Sequence, residues 1–215
     1  EKISAAIGKL EIALKNFSKN IHKIEKYYDF SIRQTILNEA RDLKLVASNY
    51  HNRAYNNPKL LIYNLKNSMN KLAAKIQLEG GARIEGVALI KPEQLLGIKI
   101  DKVTQVEKGI IYTKEKGGKQ GEVLVSLKTY AELENYLSLN SKFKINRQDY
   151  YNDIKQAAII SKEVSEGSHG LRWNFAKRRM FEHGKADYSY SDSLQQVSYE
   201  MKHNRASITE HYLGG

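Results

Sequence analysis

Between Pro92 and Leu127 the chain abandons helical periodicity for short runs rich in β-branched residues, and this one change of texture constrains the fold more than any other feature. The runs are 102–107, 109–113 and 122–127. Lys108-Gly109 and Lys116-Gly117-Gly118-Lys119 stand between them as turns. Three short strands joined by tight turns predict a small antiparallel sheet. On both sides of it the apolar residues recur at helical spacing, over 58–78, 128–139, 146–161, 169–183, 191–202 and 205–213. The expected class is therefore α+β, mostly α-helical with a small three-stranded antiparallel sheet.

The first 50 residues are helical in pattern as well. Ile3, Ile7, Leu10, Leu14, Phe17, Ile21, Ile24 and Tyr28 alternate three- and four-residue steps, a heptad-like stripe. It serves either an amphipathic helix packed on its own domain or a self-associating coiled coil. A second pattern runs over 31–50 through Ile36, Ala40, Leu43 and Val46. Tyr55-Asn56-Asn57-Pro58 reads as a turn, with Pro58 at a first helical position, so a boundary falls near 50 to 58. The expected division is 1–54, a helical N-terminal segment, and 55–215, a larger domain. The helix from Pro58 has Leu61, Leu65, Leu72 and Ile76 on one face and stops at Gly80-Gly81.

Charge narrows the partners. Thirty-five Lys and Arg against 24 Asp and Glu leave a formal +11. Such a surplus favours a polyanion, because every phosphate a protein neutralises releases condensed counterions. The absence of cysteine removes disulfides, thiolate catalysis and cysteine-ligated metals. No apolar run approaches the roughly 18 residues of a membrane span, and a reducing cytoplasmic home fits. Because the chain starts at Glu1 and ends in Gly214-Gly215, it is expected to be a piece of a longer protein.

Toward the C-terminus, His203 precedes Tyr212 by nine residues, and upstream lies Ser168-His169-Gly170-Leu171-Arg172, a His-x-x-Arg step that puts imidazole and guanidinium on one helix face. Farther upstream are Gly81-Ala82-Arg83-Ile84 and the Lys116-Gly117-Gly118-Lys119 turn ahead of a strand. In this order the pieces resemble the box of the tyrosine recombinases: a first arginine, a hairpin lysine, His-x-x-Arg, His or Trp, then tyrosine. The resemblance spans about residues 58 to 213. It implies that 55–215 is a tyrosine recombinase catalytic domain of the phage-integrase and Xer-like kind, and that 1–54 is the end of a core-binding domain, a linker or family-specific helices.

By the same resemblance, Tyr212 is the nucleophile that attacks a DNA phosphate and forms a covalent 3′-phosphotyrosine. Arg83 and Arg172 hold the non-bridging oxygens, since planar guanidinium forks suit them. Lys116 protonates the leaving 5′ oxygen, with Lys119 as the other candidate. His169 acts as acid and base, and His203 orients the phosphate. The bond energy stays in the phosphotyrosine, so no cofactor, ATP or metal is implied. The expected partner is a double-stranded DNA target site, bound by a homodimer or tetramer of the full-length protein, in a bacterial chromosome, phage or conjugative element. Lys119, Lys177, Arg178, Arg179, Lys202 and Arg205 are the candidate DNA-backbone contacts. His183 and His211 are expected at the surface or in supporting roles.

Two departures stand out. The family has an acidic residue three positions after the first arginine; here that position is Gly86, and Glu85 comes one early. Either Glu85 takes over the support or the arginine is held differently. The chain also ends three residues after Tyr212, where the family continues with a segment that docks on a neighbouring protomer. The rival readings are a type IB topoisomerase, which shares the chemistry, and a non-catalytic DNA-binding protein.

Overall fold

The computed structural model describes residues 52–213, all within one compact unit that begins at Asn52. The heptad-like stripe of 3–28 and the helix expected over 31–50 lie outside the described residues, as do Gly214, Gly215 and the side chain of Lys116. The order of elements is α1 (Pro58–Asn64), α2 (Ser68–Gly80), α3 (Ile84–Val87), β1 (Leu89–Ile90), β2 (Leu95–Ile100), β3 (Glu107–Lys114), β4 (Gln120–Val125), α4 (Leu127–Leu139), β5 (Phe143–Lys144), α5 (Arg147–Ile160), α6 (Gly167–Lys185), α7 (Tyr190–Glu200) and α8 (Ala206–Leu213). The fold is α+β and mainly helical. No helix among the described residues is long and apolar enough to cross a membrane.

The single helix expected over 58–78 is two. Leu65 turns extended after α1, and the Asn67 side chain caps α2 by accepting from the backbone N–H of Met69 and Asn70. Asp153 on α5 accepts the freed N–H groups of Lys66 and Asn67. Leu61, Leu65, Leu72 and Ile76 are all buried nonetheless. The apolar stripe therefore reports burial correctly but cannot report a break that polar side chains elsewhere in the chain satisfy.

The three-stranded sheet has the order β2-β3-β4, antiparallel throughout, with β3 central. Its first strand is misplaced in the sequence reading. Residues 102–106 form a turn, in which the Asp101 carboxylate accepts from Val103 N–H and Thr104 Oγ1 and Gln105 takes a left-handed backbone with φ 56°. The strand is Leu95–Ile100, an edge strand that is exposed along most of its length and irregular between Leu95 and Ile98. An edge strand without a buried face has no alternation to read. A second, two-stranded pairing of β1 with β5 was not expected.

One core joins these layers. Leu61, Ile76, Ile90, Ile111, Leu133, Phe143, Ile154 and Leu171 are buried completely, and they come from α1, α2, α4, α5, α6 and both sheets. Helix α6 packs on α2 and α7, and α8 packs on α6 and α7. This places the C-terminal turn of α2, the middle of α6, the residues after α7 and the face of α8 around one point.

Candidate active site

Helix α2 ends where Gly81 adopts φ 66° and its N–H bonds the Gln77 carbonyl, the left-handed stop that glycine provides. A β-carbon at Gly81 would lie 2.5 Å from the Phe175 ring. The stop leaves the Gly81 carbonyl facing α6, and two residues later Arg83 opens the short helix α3. Arg83 is held by Glu115 at the end of β3: its backbone N–H donates to Oε1 at 3.1 Å and Nη1 to Oε2 at 2.8 Å.

The start of α6 is fixed from outside the helix. Tyr55 Oη donates to the Gly167 carbonyl at 2.8 Å and accepts from Glu166 N–H at 3.1 Å. The Asn174 amide clasps the Tyr55 backbone at both N–H and C=O. Arg53 Nε donates to the Glu166 carboxylate at 2.7 Å. The start of α6 thereby presents His169 and Arg172 on one side. Arg172 is buried to 1% exposure, and each of its three nitrogens has a partner. Nη1 donates to the Gly81 carbonyl and Nη2 to the Met201 carbonyl at 2.5 Å, while Nε points to Tyr212 Oη at 3.3 Å.

His203 stands at the centre. The turn after α7 is set by its N–H on the Ser198 carbonyl and by Ser198 Oγ, which donates to the carbonyls of His203 and Arg205. Its Nε2 is 3.1 Å from both Arg83 Nη2 and Arg172 Nη2, and its Nδ1 is 3.1 Å from Lys119 Nζ. The Tyr212 ring, 4% exposed on α8, lies with its centroid 5.4 Å from His169 and 6.4 Å from His203. The structure thus brings Arg83, Lys119, His169, Arg172, His203 and Tyr212 to one place. The Lys116 backbone sits in the adjoining hairpin turn.

The electrostatics are one-sided. Burial, followed by the charges of Arg172, Lys119 and Arg83, pushes His203 down to about 3. Burial and then Arg53 and Arg172 push His169 down to about 4. Both imidazoles are therefore neutral near pH 7. Burial and the two arginines also hold Lys119 below the ordinary lysine range, which makes it a readier proton donor. Cations converge here, and the carboxylate in direct contact with them is that of Glu115. A group with several acceptor oxygens and negative charge is what such a cluster can bind.

Some expected DNA contacts are elsewhere. Arg179 is buried, with Asp101, Glu182 and Glu200 around its guanidinium at 2.7 to 3.0 Å, so it ties the turn after β2 to α6 and α7. Lys202 is likewise turned inward, its side chain 5% exposed and its Nζ 3.0 Å from Glu115. Arg178 donates to the Leu78 and Glu79 carbonyls at the end of α2. Lys177 is half-buried and Arg205 exposed. His183 is buried beside Glu200, whereas His211 is exposed with its ring 5.4 Å from Trp173. Glu115 and Tyr55, which hold the catalytic candidates, were not singled out by the sequence. Neither has a spacing signal, although a Glu immediately before the Lys-Gly-Gly-Lys turn is the available hint.

No family model and no curated protein matches this chain. Solved structures do. The XerH site-specific recombinase bound to a palindromic difH substrate in a post-cleavage complex is similar at 16% identity and a TM-score of 0.53, over 72% of this chain and 46% of that one. The pre-cleavage XerH complex with difH gives 16% and 0.52, over 73% and 48%. A lambda integrase dimer bound to a COC′ core site gives 15% and 0.52, over 72% and 45%. The chain spans less than half the length of these proteins. What the likeness establishes is the architecture: over 72–73% of its length this chain shares the fold of the XerH and lambda integrase structures.

Proposed function

We propose that this chain breaks and rejoins DNA strands as a site-specific tyrosine recombinase of the integrase and Xer-like kind. The observation that carries the reading is the convergence of the Arg83 and Arg172 guanidinium groups and the Lys119 ammonium group on His203, with the Tyr212 hydroxyl 3.3 Å from Arg172 Nε and the His169 ring beside the Tyr212 ring.

Each residue then has a task. Arg83 and Arg172 fork onto the non-bridging oxygens of a DNA phosphate, where negative charge grows as phosphorus becomes five-coordinate. Tyr212 Oη attacks the phosphorus and its proton passes to neutral His169. A neutral phenol is a poor nucleophile, so a proton acceptor beside it is needed. As the bond from phosphorus to the 5′ oxygen breaks, Lys119 gives that oxygen a proton, helped by its lowered affinity for it. Lys116 is the other hairpin candidate for this step. His203, fixed by both arginines, orients the phosphate. The product is a 3′-phosphotyrosine and a free 5′ hydroxyl. Attack by a 5′ hydroxyl of a second strand reverses the steps, so no energy-rich cofactor enters.

The partner is double-stranded DNA, with Lys177 and Arg205 as candidate backbone contacts, and the complete protein works as a dimer or tetramer on its site. A nicked suicide DNA tests the reading. Wild type should form a covalent adduct that survives denaturation, in EDTA as well as without it, and Tyr212→Phe should bind the DNA equally and form none. Adduct formation by Tyr212→Phe refutes the proposal.

A further inference from the structure

Glu115 is the acidic side chain at the centre of the cation cluster, and its carboxylate is fully shielded from solvent. Three separate parts of the site meet on it. Arg83 takes both of its oxygens, through backbone N–H and Nη1. Lys202, one residue before His203 and in a left-handed backbone with φ 59°, reaches back to Oε1 at 3.0 Å. The Glu115 N–H donates to the Lys119 carbonyl at 2.6 Å and closes the hairpin that carries Lys119.

The space for this carboxylate comes from a missing side chain. A β-carbon on Gly86 would lie 2.8 Å from Glu115 Cγ and 3.2 Å from Thr113 Cβ, closer than β-carbons pack. Gly86 is the third residue of α3, whose N-cap is Arg83. A glutamate at that third position ordinarily reaches back to the N-cap N–H. Here the same N–H is taken by a carboxylate arriving from β3. Glu85 does not replace it: it is exposed and faces Arg147 at 3.8 Å.

Resting on the proposed recombinase reading, we propose that Glu115 is the positioning residue of this site. It fills the room left by Gly86 and locks Arg83, the turn bearing His203 and the Lys119 hairpin into one frame. Burial works to raise the Glu115 pKa, but Lys202 and Arg172 outweigh it and keep the group ionised. Removing the charge while keeping the shape should therefore loosen the frame without emptying it.

The test is single-turnover covalent capture on suicide DNA, alongside DNA affinity and thermal melting. Glu115→Gln should bind DNA within about twofold of wild type yet form adduct ~10-fold or more slowly, the usual scale for losing a group that orients others. Glu85→Gln should cleave at the wild-type rate. Gly86→Glu alone should melt below wild type, whereas Gly86→Glu combined with Glu115→Ala should melt above Glu115→Ala and recover part of its lost rate. Wild-type adduct with an unchanged Glu115→Gln rate overturns the positioning role, even if melting falls. Additive melting effects at 86 and 115 overturn the exchange of space. Absence of adduct from wild type refutes the recombinase reading instead, and the melting cycle still decides whether Glu115 occupies the room at Gly86.

Discussion

Helix α6 contains two glycines in helical backbone, Gly170 and Gly184, and replacing each by alanine should move stability in opposite directions. In an open helix, alanine gains roughly 0.5–1 kcal/mol over glycine because it restricts the unfolded chain. At Gly184 a β-carbon meets nothing within 4 Å, so that gain should appear. At Gly170 the β-carbon would stand 2.6 Å from the Tyr55 ring and 2.8 Å from the Arg53 carbonyl oxygen. The carbonyl is backbone and cannot rotate aside. Because the backbone cannot yield, the overpacking cost sits in the upper part of its usual range, about 2–3 kcal/mol, and less the helical gain leaves a net loss of about 1–2.5 kcal/mol. For a domain of this size each kcal/mol moves the midpoint by roughly 2–4 °C. Gly184→Ala should melt a few degrees higher and Gly170→Ala about 2–10 °C lower in calorimetry at pH 7. The clash also pushes residues 53–55 off α6, where Tyr55 fixes the turn ahead of His169. Gly170→Ala should therefore slow adduct formation at temperatures where it remains folded, and Gly184→Ala should not. A Gly170→Ala protein that melts at or above wild type refutes the argument that this segment is clamped against the helix.

Lys119→Ala should cleave ordinary DNA slowly but regain most of its rate on a substrate whose leaving oxygen is replaced by sulfur, which departs without a proton. If Lys116→Ala shows the rescue and Lys119→Ala does not, the proton comes from Lys116. Arg179→Met should cost about 3–5 kcal/mol in denaturant titration, since it strands Asp101 in the interior. Breaking the exposed pair of Lys99 and Glu122 should cost under about 1 kcal/mol. His169 and His203 have folded pKa values below the ordinary 6.5, so the unfolded chain binds protons that the native state refuses. Stability from these groups is full above pH 6.5 and is lost as pH falls toward about 4 and about 3. His203→Asn should flatten the measured slope in that window, and an unchanged slope would show that His203 does not titrate this way.

What could be read from the chain follows from where the physical signal resides. His169 and Arg172 share a helix face because three residues make nearly one turn, and Gly81 ends α2 by its own backbone preference. Both facts are local. Arg179 and Lys202 look like DNA contacts in sequence because a basic side chain announces its charge but not its carboxylate: Asp101 lies 78 residues from Arg179 and Glu115 lies 87 from Lys202. The strand β2 escaped notice because an exposed edge has no buried face to impose alternation. Glu115 escaped for a subtler reason. Its role depends on the absence of a side chain at Gly86, and an absence has meaning only once the two positions are known to face each other.

The geometry around His203 explains why so many fixed acceptors surround Arg172. A neutral imidazole offers one donor and one acceptor, yet Nε2 faces two guanidinium groups and Nδ1 an ammonium group. With Nε2 accepting, Nδ1 carries the proton and Lys119 Nζ can accept from it only as a neutral amine. With Lys119 charged, Nδ1 accepts and the Nε2 proton is aimed between two cations. Either arrangement is uncomfortable, and a phosphate oxygen entering beside Nε2 relieves it by accepting from the imidazole and both arginines together. Such a site is unfavourable to hold together by itself, so the restraint must come from groups that are not cationic: the Gly81 and Met201 carbonyls on Arg172, and Glu115 on Arg83 and Lys202. Two of these acceptors are backbone carbonyls and the third is a buried carboxylate, so the cations are held by groups fixed in the fold. Preorganisation of this kind moves the cost of assembling the charges from the chemical step to folding.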